Sequence, residues 1–262
     1  MKKHILAALS LALLPFPALA AGDPVELSAK TAIEWRKSEK SYVATGGAEV
    51  KRGDMRLAAE NLVAEYRDNT GGGTDVFRIT ATDNVRFAKK DTRASAGKIV
   101  YLVDEKTALL TGAPLLLETA SSRITASRSI AFDDGAGTAD IIGDARIERK
   151  NDKTVMTADR MHARLEKGPS GTEDLSEILA EGGVALVTSK LAALADSATY
   201  NAARDEATLT GHVRITRDDS QLNGDAAVIS LGSGDSRILS SGGDDGRVRA
   251  LFLPKAATEA VP

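Results

Sequence analysis

The chain has 262 residues, with 34 Lys and Arg against 37 Asp and Glu for a formal charge of −3, which argues against a protein that holds nucleic acid by general positive charge. Apolar residues make up 42% and charged residues 27%, enough to bury a core and too balanced for a chain disordered throughout. Cysteine is absent and only 4% of residues are aromatic. Disulfides, thiolate zinc sites and cysteine nucleophiles are therefore closed, and Ala, Val, Leu and Ile must fill the interior.

In chain order, residues 1–20 come first and read as a cleaved export signal. Lys2 and Lys3 form a basic start, Ile5 to Phe16 an apolar run interrupted by Pro15, and Ala18-Leu19-Ala20 a small-x-small cleavage site. The run is too short to span a bilayer, and no later stretch reaches the ~20 apolar residues that a spanning helix needs. The expected destination is the periplasm. The expected organisation is one folded domain over 21–252 and a disordered tail over 253–262.

After an N-terminal strand near Ala32 to Val43, the chain repeats. Gly46 leads to Val50, Leu57, Glu60 and Val63. Gly211 leads without a gap to Ile215, Leu222, Asp225 and Val228 in the same register. Asp83-Asn84-Val85-Arg86-Phe87 leads to Gly97 and Val100. With small shifts, the pattern recurs from Gly112 (Leu116, Ile124, Ile130), Gly143 (Ile147, Met156, Asp159) and Gly182 (Val184, Leu186, Asp196). The anchors lie 37, 29, 31, 39 and 29 residues apart, a unit of about thirty whose two long intervals hold the turn formers 69–75 and 167–172. Within a unit, Val213 and Ile215 flank Arg214 as Val85 and Phe87 flank Arg86, the period-two alternation of a strand with one buried face. A return strand follows a turn such as Arg52-Gly53-Asp54. The reading is an all-β stack of about six hairpins.

Two segments, Leu57 to Ala64 and Leu191 to Ala203, have the Ala- and Leu-rich composition of helices. The equivalent Lys98-Ile99-Val100-Tyr101-Leu102-Val103 is β-branched or aromatic, and repeats share one conformation, so these segments are expected to be strands. A short helical turn is expected at Asp174 to Leu179.

The last unit carries a family likeness. Gly211-His212-Val213-Arg214-Ile215, then Leu222-Asn223-Gly224-Asp225-Ala226-Ala227, then Gly234-Asp235-Ser236-Arg237-Ile238-Leu239, resembles the LptA/OstA family of periplasmic lipopolysaccharide-transport proteins. Gly246 to Phe252 resembles the ending of bacterial members. The likeness runs over about Val25 to Phe252. It implies an OstA-like β-jellyroll of stacked hairpins, open at both ends, that shields the lipid A acyl chains of lipopolysaccharide. It also implies a bridge between LptC-like inner-membrane and LptD-like outer-membrane components, with head-to-tail association of copies through exposed end strands.

An acyl chain of about a dozen methylenes would lose ~10 kcal/mol on exposure to water, at ~0.8 kcal/mol per CH₂, so a carrier must supply a continuous apolar inner face. The candidate lining is Val50, Leu57, Val85, Phe87, Ile99, Leu116, Ile147, Met156, Val184, Leu186, Val213, Ile215, Leu222 and Val228. Each of these could equally pack as plain core. The end strands, near Ile33 to Val43 and Ser236 to Phe252, are expected as docking edges, although Arg36, Lys37, Glu39 and Lys40 could also protect the first from association. Arg86, Arg146 and Arg214 share a register opposite the apolar set and are expected on a solvated face.

Catalytic motifs are not found. His162 and His212 lie far apart, no H-E-x-x-H, G-x-S-x-G or P-loop occurs, and Gly135-Ala136-Gly137 reads as a turn. Gly71 to Asp75 has no tandem array to supply calcium ligands. No catalytic residue, metal or cofactor is expected. The leading function is lipopolysaccharide binding and transport; the alternative is a structural β-solenoid scaffold of the envelope without lipid cargo.

Overall fold

The structure, a computed structural model, describes residues 25–70, 72–167, 173–217, 220–240 and 248–252. The expected signal segment 1–20 and the tail 253–262 lie outside these residues. Among them the chain forms no helix and eighteen strands in one antiparallel sheet. The first half holds β1 (Glu26–Ser28), β2 (Ala32–Arg36), β3 (Ser41–Arg52), β4 (Met55–Asp68), β5 (Thr74–Lys89), β6 (Thr92–Leu102), β7 (Thr107–Thr111), β8 (Leu115–Glu118), β9 (Ser122–Ala126) and β10 (Ser129–Asp133). The second holds β11 (Thr138–Arg149), β12 (Val155–Lys167), β13 (Glu173–Val187), β14 (Ala192–Asn201), β15 (Glu206–Arg217), β16 (Ser220–Ser230), β17 (Ser236–Leu239) and β18 (Arg249–Phe252).

The repeat anchors are where the long strands bend. At Gly46, Asp83, Gly143, Gly182 and Gly211 φ is 76°, 67°, 84°, 82° and 80°, and the next residue is left-handed as well. Two such residues in succession interrupt the ladder and make a β-bulge, which turns a strand sharply. The register accordingly skips from Thr45 to Ala48, Thr82 to Val85, Ile142 to Ala145, Glu181 to Val184 and Thr210 to Val213. The two halves of one strand therefore keep different company. Ala32–Arg36 pairs with the first half of β3, whereas Glu26–Ser28 pairs with the second half.

Folded along this line of bulges, the sheet becomes two leaves of a β-jellyroll, as the sequence leads one to expect. The front leaf contains the strand halves beside turns such as 53–54 and 90–91, with β1, β8, β9 and β18. The back leaf contains the halves beside 37–40 and 103–106, with β2, β7, β10 and β17. Inner faces are apolar because alternate residues point inward. Phe87, Leu57, Leu117, Ile124 and Leu186 on the front leaf are fully buried, as are Leu62, Ile99, Leu110, Ile130, Ile141 and Met161 on the back leaf. Burying one such side chain contributes about 1.5–3 kcal/mol.

Both Ala-rich segments are extended: Leu57 to Ala64 lies within β4, and Leu191 to Ala203 forms β14 over Ala192–Asn201 and then enters a turn. The helical turn expected at Asp174 to Leu179 is not formed: these residues extend within β13. Leu175 and Ile178 are three apart, as on a helix, yet both are buried. A bulge lets Leu165 pair with Leu175 while Arg164 pairs with Glu177, placing Ser176 as an extra residue. The N-terminal strand read as Ala32 to Val43 is two strands, separated by the turn 37–40 where Lys40 has φ 48°.

Candidate functional site

Most of the expected lining residues stand in one cross-strand row of the front leaf. Val50 pairs with Leu57, Leu57 with Phe87, Ile147 with Met156, Met156 with Leu186, and Ile215 with Leu222. Ala94, Leu117 and Ile124 join Phe87 to Ile147, and Ala193 joins Leu186 to Ile215, which makes one line running along the molecule. Val85, Val184 and Val213 are buried one step nearer the crease, and Ile99 is buried in the facing row of the back leaf. Val50 and Leu222 are partly buried against this core.

Two expected positions face the other way. Leu116 is half-buried between the fully inward Leu115 and Leu117. Val228 is half-buried between the fully inward Ala227 and Ile229, opposite the exposed Thr208. Each misses by one residue, which reverses a side chain's face. At Leu116 the strand restarts after Gly112-Ala113-Pro114 instead of continuing through a bulge. At Val228 the count from Leu222 is broken because the single residue Asp225 stands opposite the two bulged residues Gly211 and His212.

Along most of this row the leaves close on each other, but at the N-terminal end a cleft of about 200 Å³ opens between them. Its walls are Leu27, Val50, Met55 and Leu57 of the front leaf and Tyr42, Leu62, Ala64, Ile79 and Tyr101 of the back leaf, and Arg52 is its one charged lining residue. Burial, reinforced by the charge of Asp134, pushes the Tyr101 phenol up to about 12, so it stays neutral across the physiological range. The back-leaf contributors Tyr42, Leu62, Ala64 and Ile79 were missed from the sequence. Their signal was the same alternation, hidden at Leu62 and Ala64 by the Ala-rich composition of β4 and carried at Tyr42 and Ile79 by the halves of β3 and β5 on the other side of the bulge. A second, similar hollow near Ile147, Met156, Ile178 and Leu186 measures about 30 Å³.

At the same end, inward-facing side chains of β2 are left uncovered: Ile33 is 51% and Trp35 59% exposed. Trp35 stacks on Tyr42 with centroids 6.0 Å apart and donates from Nε1 to the Tyr66 hydroxyl at 2.7 Å. At the other end Leu239 and Leu251 are exposed. Arg86, Arg146 and Arg214 point outward into solvent, opposite the buried row. Asp133 accepts a hydrogen bond from the Ala136 amide at 2.8 Å and so caps the turn 134–137. The two histidines among the described residues each meet one carboxylate on the outer surface, His162 with Asp140 and His212 with Asp196, both at 2.7 Å.

A sequence family described as LptA/(LptD N-terminal domain) LPS transport protein matches residues 26–133 and again 126–235. The chain belongs to this family. The family is one of transport, and no catalytic role comes with it. The double match has a counterpart in the ladder: Val50, Leu57, Phe87, Ile79 and Tyr101 in the first half occupy the places of Ile147, Met156, Leu186, Ile178 and Tyr200 in the second. Among solved structures, the chain is similar to LptH, described as the LptA homologous periplasmic component of the lipopolysaccharide transport device of Pseudomonas aeruginosa. Identity is 14% and the TM-score 0.44, over 51% of this chain and 95% of that one. No curated protein matches the chain in sequence. No helix of the described residues is long and apolar enough to cross a membrane.

Proposed function

We propose that the chain is a periplasmic lipopolysaccharide carrier whose two leaves form a trough for lipid A acyl chains, part of a bridge between inner-membrane and outer-membrane components. The observation that carries this reading is the N-terminal cleft. A cavity of about 150 Å³ with apolar walls accommodates benzene, so one of about 200 Å³ accepts a stretch of acyl chain, and the inner rows continue its apolar surface along the molecule. Arg52 at the cleft suits a lipid with an anionic headgroup.

The basic, apolar, small-residue order of 1–20 supports export to the periplasm, with the domain following to about 252 and the last ten residues as a tail. The edge strands at each end, with Trp35 and Ile33 exposed at one and Leu239 and Leu251 at the other, support continuation of the sheet by LptC-like and LptD-like partners or by a second copy added head to tail.

The test is a photo-crosslinking residue placed in cells at Val50, with Val228 on the outer face as control. Lipopolysaccharide adducts are expected at Val50 and not at Val228. Absence of adducts at Val50, together with no lipid in mass spectra of the purified protein, would leave a scaffold without cargo.

A further inference from the structure

The two halves of the trough differ at their margins, and the partners of one side chain make the difference. Arg149 closes the last position of β11 on the front leaf, yet its guanidinium reaches across to the back leaf. Its Nη1 donates to the Tyr200 hydroxyl at 3.3 Å and to Asp205 Oδ1 at 3.2 Å, over sequence separations of 51 and 56 residues. On its own leaf Nη2 donates to Thr154 Oγ1 at 3.2 Å and Nε to Asp152 Oδ1 at 3.3 Å. Tyr200 in turn donates to Asp205 at 3.0 Å. The Arg149 side chain is only 13% exposed, and the hollow beneath it is the one of about 30 Å³.

The first half has the same frame with different partners. Arg52 ends β3 as Arg149 ends β11, and Tyr101 pairs with Ala108 as Tyr200 pairs with Ala207. Counting from those tyrosines through equal four-residue turns, Lys106 stands where Asp205 stands, and both have a left-handed φ, 55° and 49°. Met55, across from Arg52 where the strand restarts, stands where Thr154 stands. The longer turn that brings Asp152 to Arg149 is reduced to Gly53-Asp54. The carboxylate that ties the leaves together is thus replaced by an ammonium, and the hydroxyl that holds Arg149 on its own leaf by a thioether, and there the cleft of about 200 Å³ opens.

We propose that Arg149, with Asp205, Tyr200 and Thr154, is a latch that holds the second half of the trough shut against lipid, leaving the first half as the one that receives an acyl chain. This rests on the reading of the trough as a lipid site. A charge-assisted pair with one partner largely shielded from water is stronger than a fully exposed one, and here the shielded Arg149 reaches the 41% exposed Asp205 across two leaves that no ladder hydrogen bond joins at that margin. A chain sliding from the first half into the second must part it, so the latch sets where a bound chain stops.

The test exchanges the margins. In the purified full chain, Thr154→Met with Asp205→Lys gives the second half the residues of the first, and Met55→Thr with Lys106→Asp does the reverse. Each protein is labelled with a diazirine-bearing dodecanoic acid, the labelled peptides are mapped, and amide hydrogen exchange is followed at 150–154 and 202–205. Wild type is expected to label around Val50 and Leu57 only. The Thr154→Met, Asp205→Lys variant is expected to add labels around Ile147 and Met156 and to exchange about tenfold faster at both turns, as loss of a part-buried, charge-assisted contact implies; the reverse variant is expected to lose label near Val50. Equal labelling of both halves in wild type, or unchanged exchange in the first variant, would overturn the latch. So would a second half that stays unlabelled in that variant while the first half labels. A different failure, no label in either half of any protein, would sink the lipid trough itself.

Discussion

Filling the N-terminal cleft should remove lipid binding without unfolding the protein, and Ala64→Phe is the substitution that does it. Ala64 pairs with Tyr42 and Ile79 and lines the cleft from the back leaf. If about 150 Å³ holds the six carbons of benzene, the cleft's volume of about 200 Å³ holds about eight methylenes, worth ~6 kcal/mol at ~0.8 kcal/mol each. A phenyl ring would occupy about three quarters of that space. Allowing half of the loss to be recovered by movement of the two leaves, about 2–3 kcal/mol remains, a hundredfold weakening. Titration of the purified protein with a fluorescent undecanoic acid measures it directly. The expected result is a Kd raised about a hundredfold with the thermal midpoint unchanged or slightly higher, since a void is being filled. A Kd within threefold of wild type in a folded variant would refute the placement of the acyl chain in this cleft.

Adjacent residues of β8 should behave oppositely. Leu117→Ala is expected to cost about 2–5 kcal/mol in urea unfolding because Leu117 is fully buried, whereas Leu116→Gln should stay within ~0.5 kcal/mol; equal effects would contradict the register. Gly211→Ala should destabilise by at least ~1–2 kcal/mol in the same assay, because φ is +80° and an added Cβ would lie 2.9 Å from Asp196 Cβ. The hydrogen bond between His212 and Asp196, more than the charge of Asp196, raises the His212 pKa above the ordinary histidine value. A raised folded value means that the pair's stabilisation is full below the unfolded pKa and is lost as pH climbs through the folded one. An NMR titration should therefore show the His212 midpoint above that of a free histidine and falling back in Asp196→Asn; an unmoved midpoint in that variant would refute the cause.

The exchange of residues between margins, the filled cleft and the paired leucines all exploit the same feature: a repeating sequence laid out as a repeating ladder. The period of about thirty was legible because each anchor must adopt a left-handed conformation, a demand that Gly meets at no steric cost and Asp or Asn at little. Alternation then named most of the inner front row, from Val50 to Leu222, before any coordinates. Strand identity in the Ala-rich β4 and β14 followed from comparing copies, where propensity alone pointed to helix.

What the chain could not say by itself was parity beyond a break. Period-two counting is reliable only within an unbroken ladder, and each unit contains either a bulge in which one strand spends more residues than its neighbour or, after Gly112, a break between two strands. That is why Leu116 and Val228 faced outward and why Leu175 and Ile178 imitated a helical spacing. Closure of the trough was equally invisible. Arg149 meets Asp205 only because the leaves fold over and bring front-leaf β11 opposite back-leaf β14, and the identities of Lys106 and Met55 acquire meaning only when the two halves are superposed. Local sequence determined where strands bend and which residues are apolar; the folding of one leaf onto the other decided which of those residues enclose a space and which merely fill it.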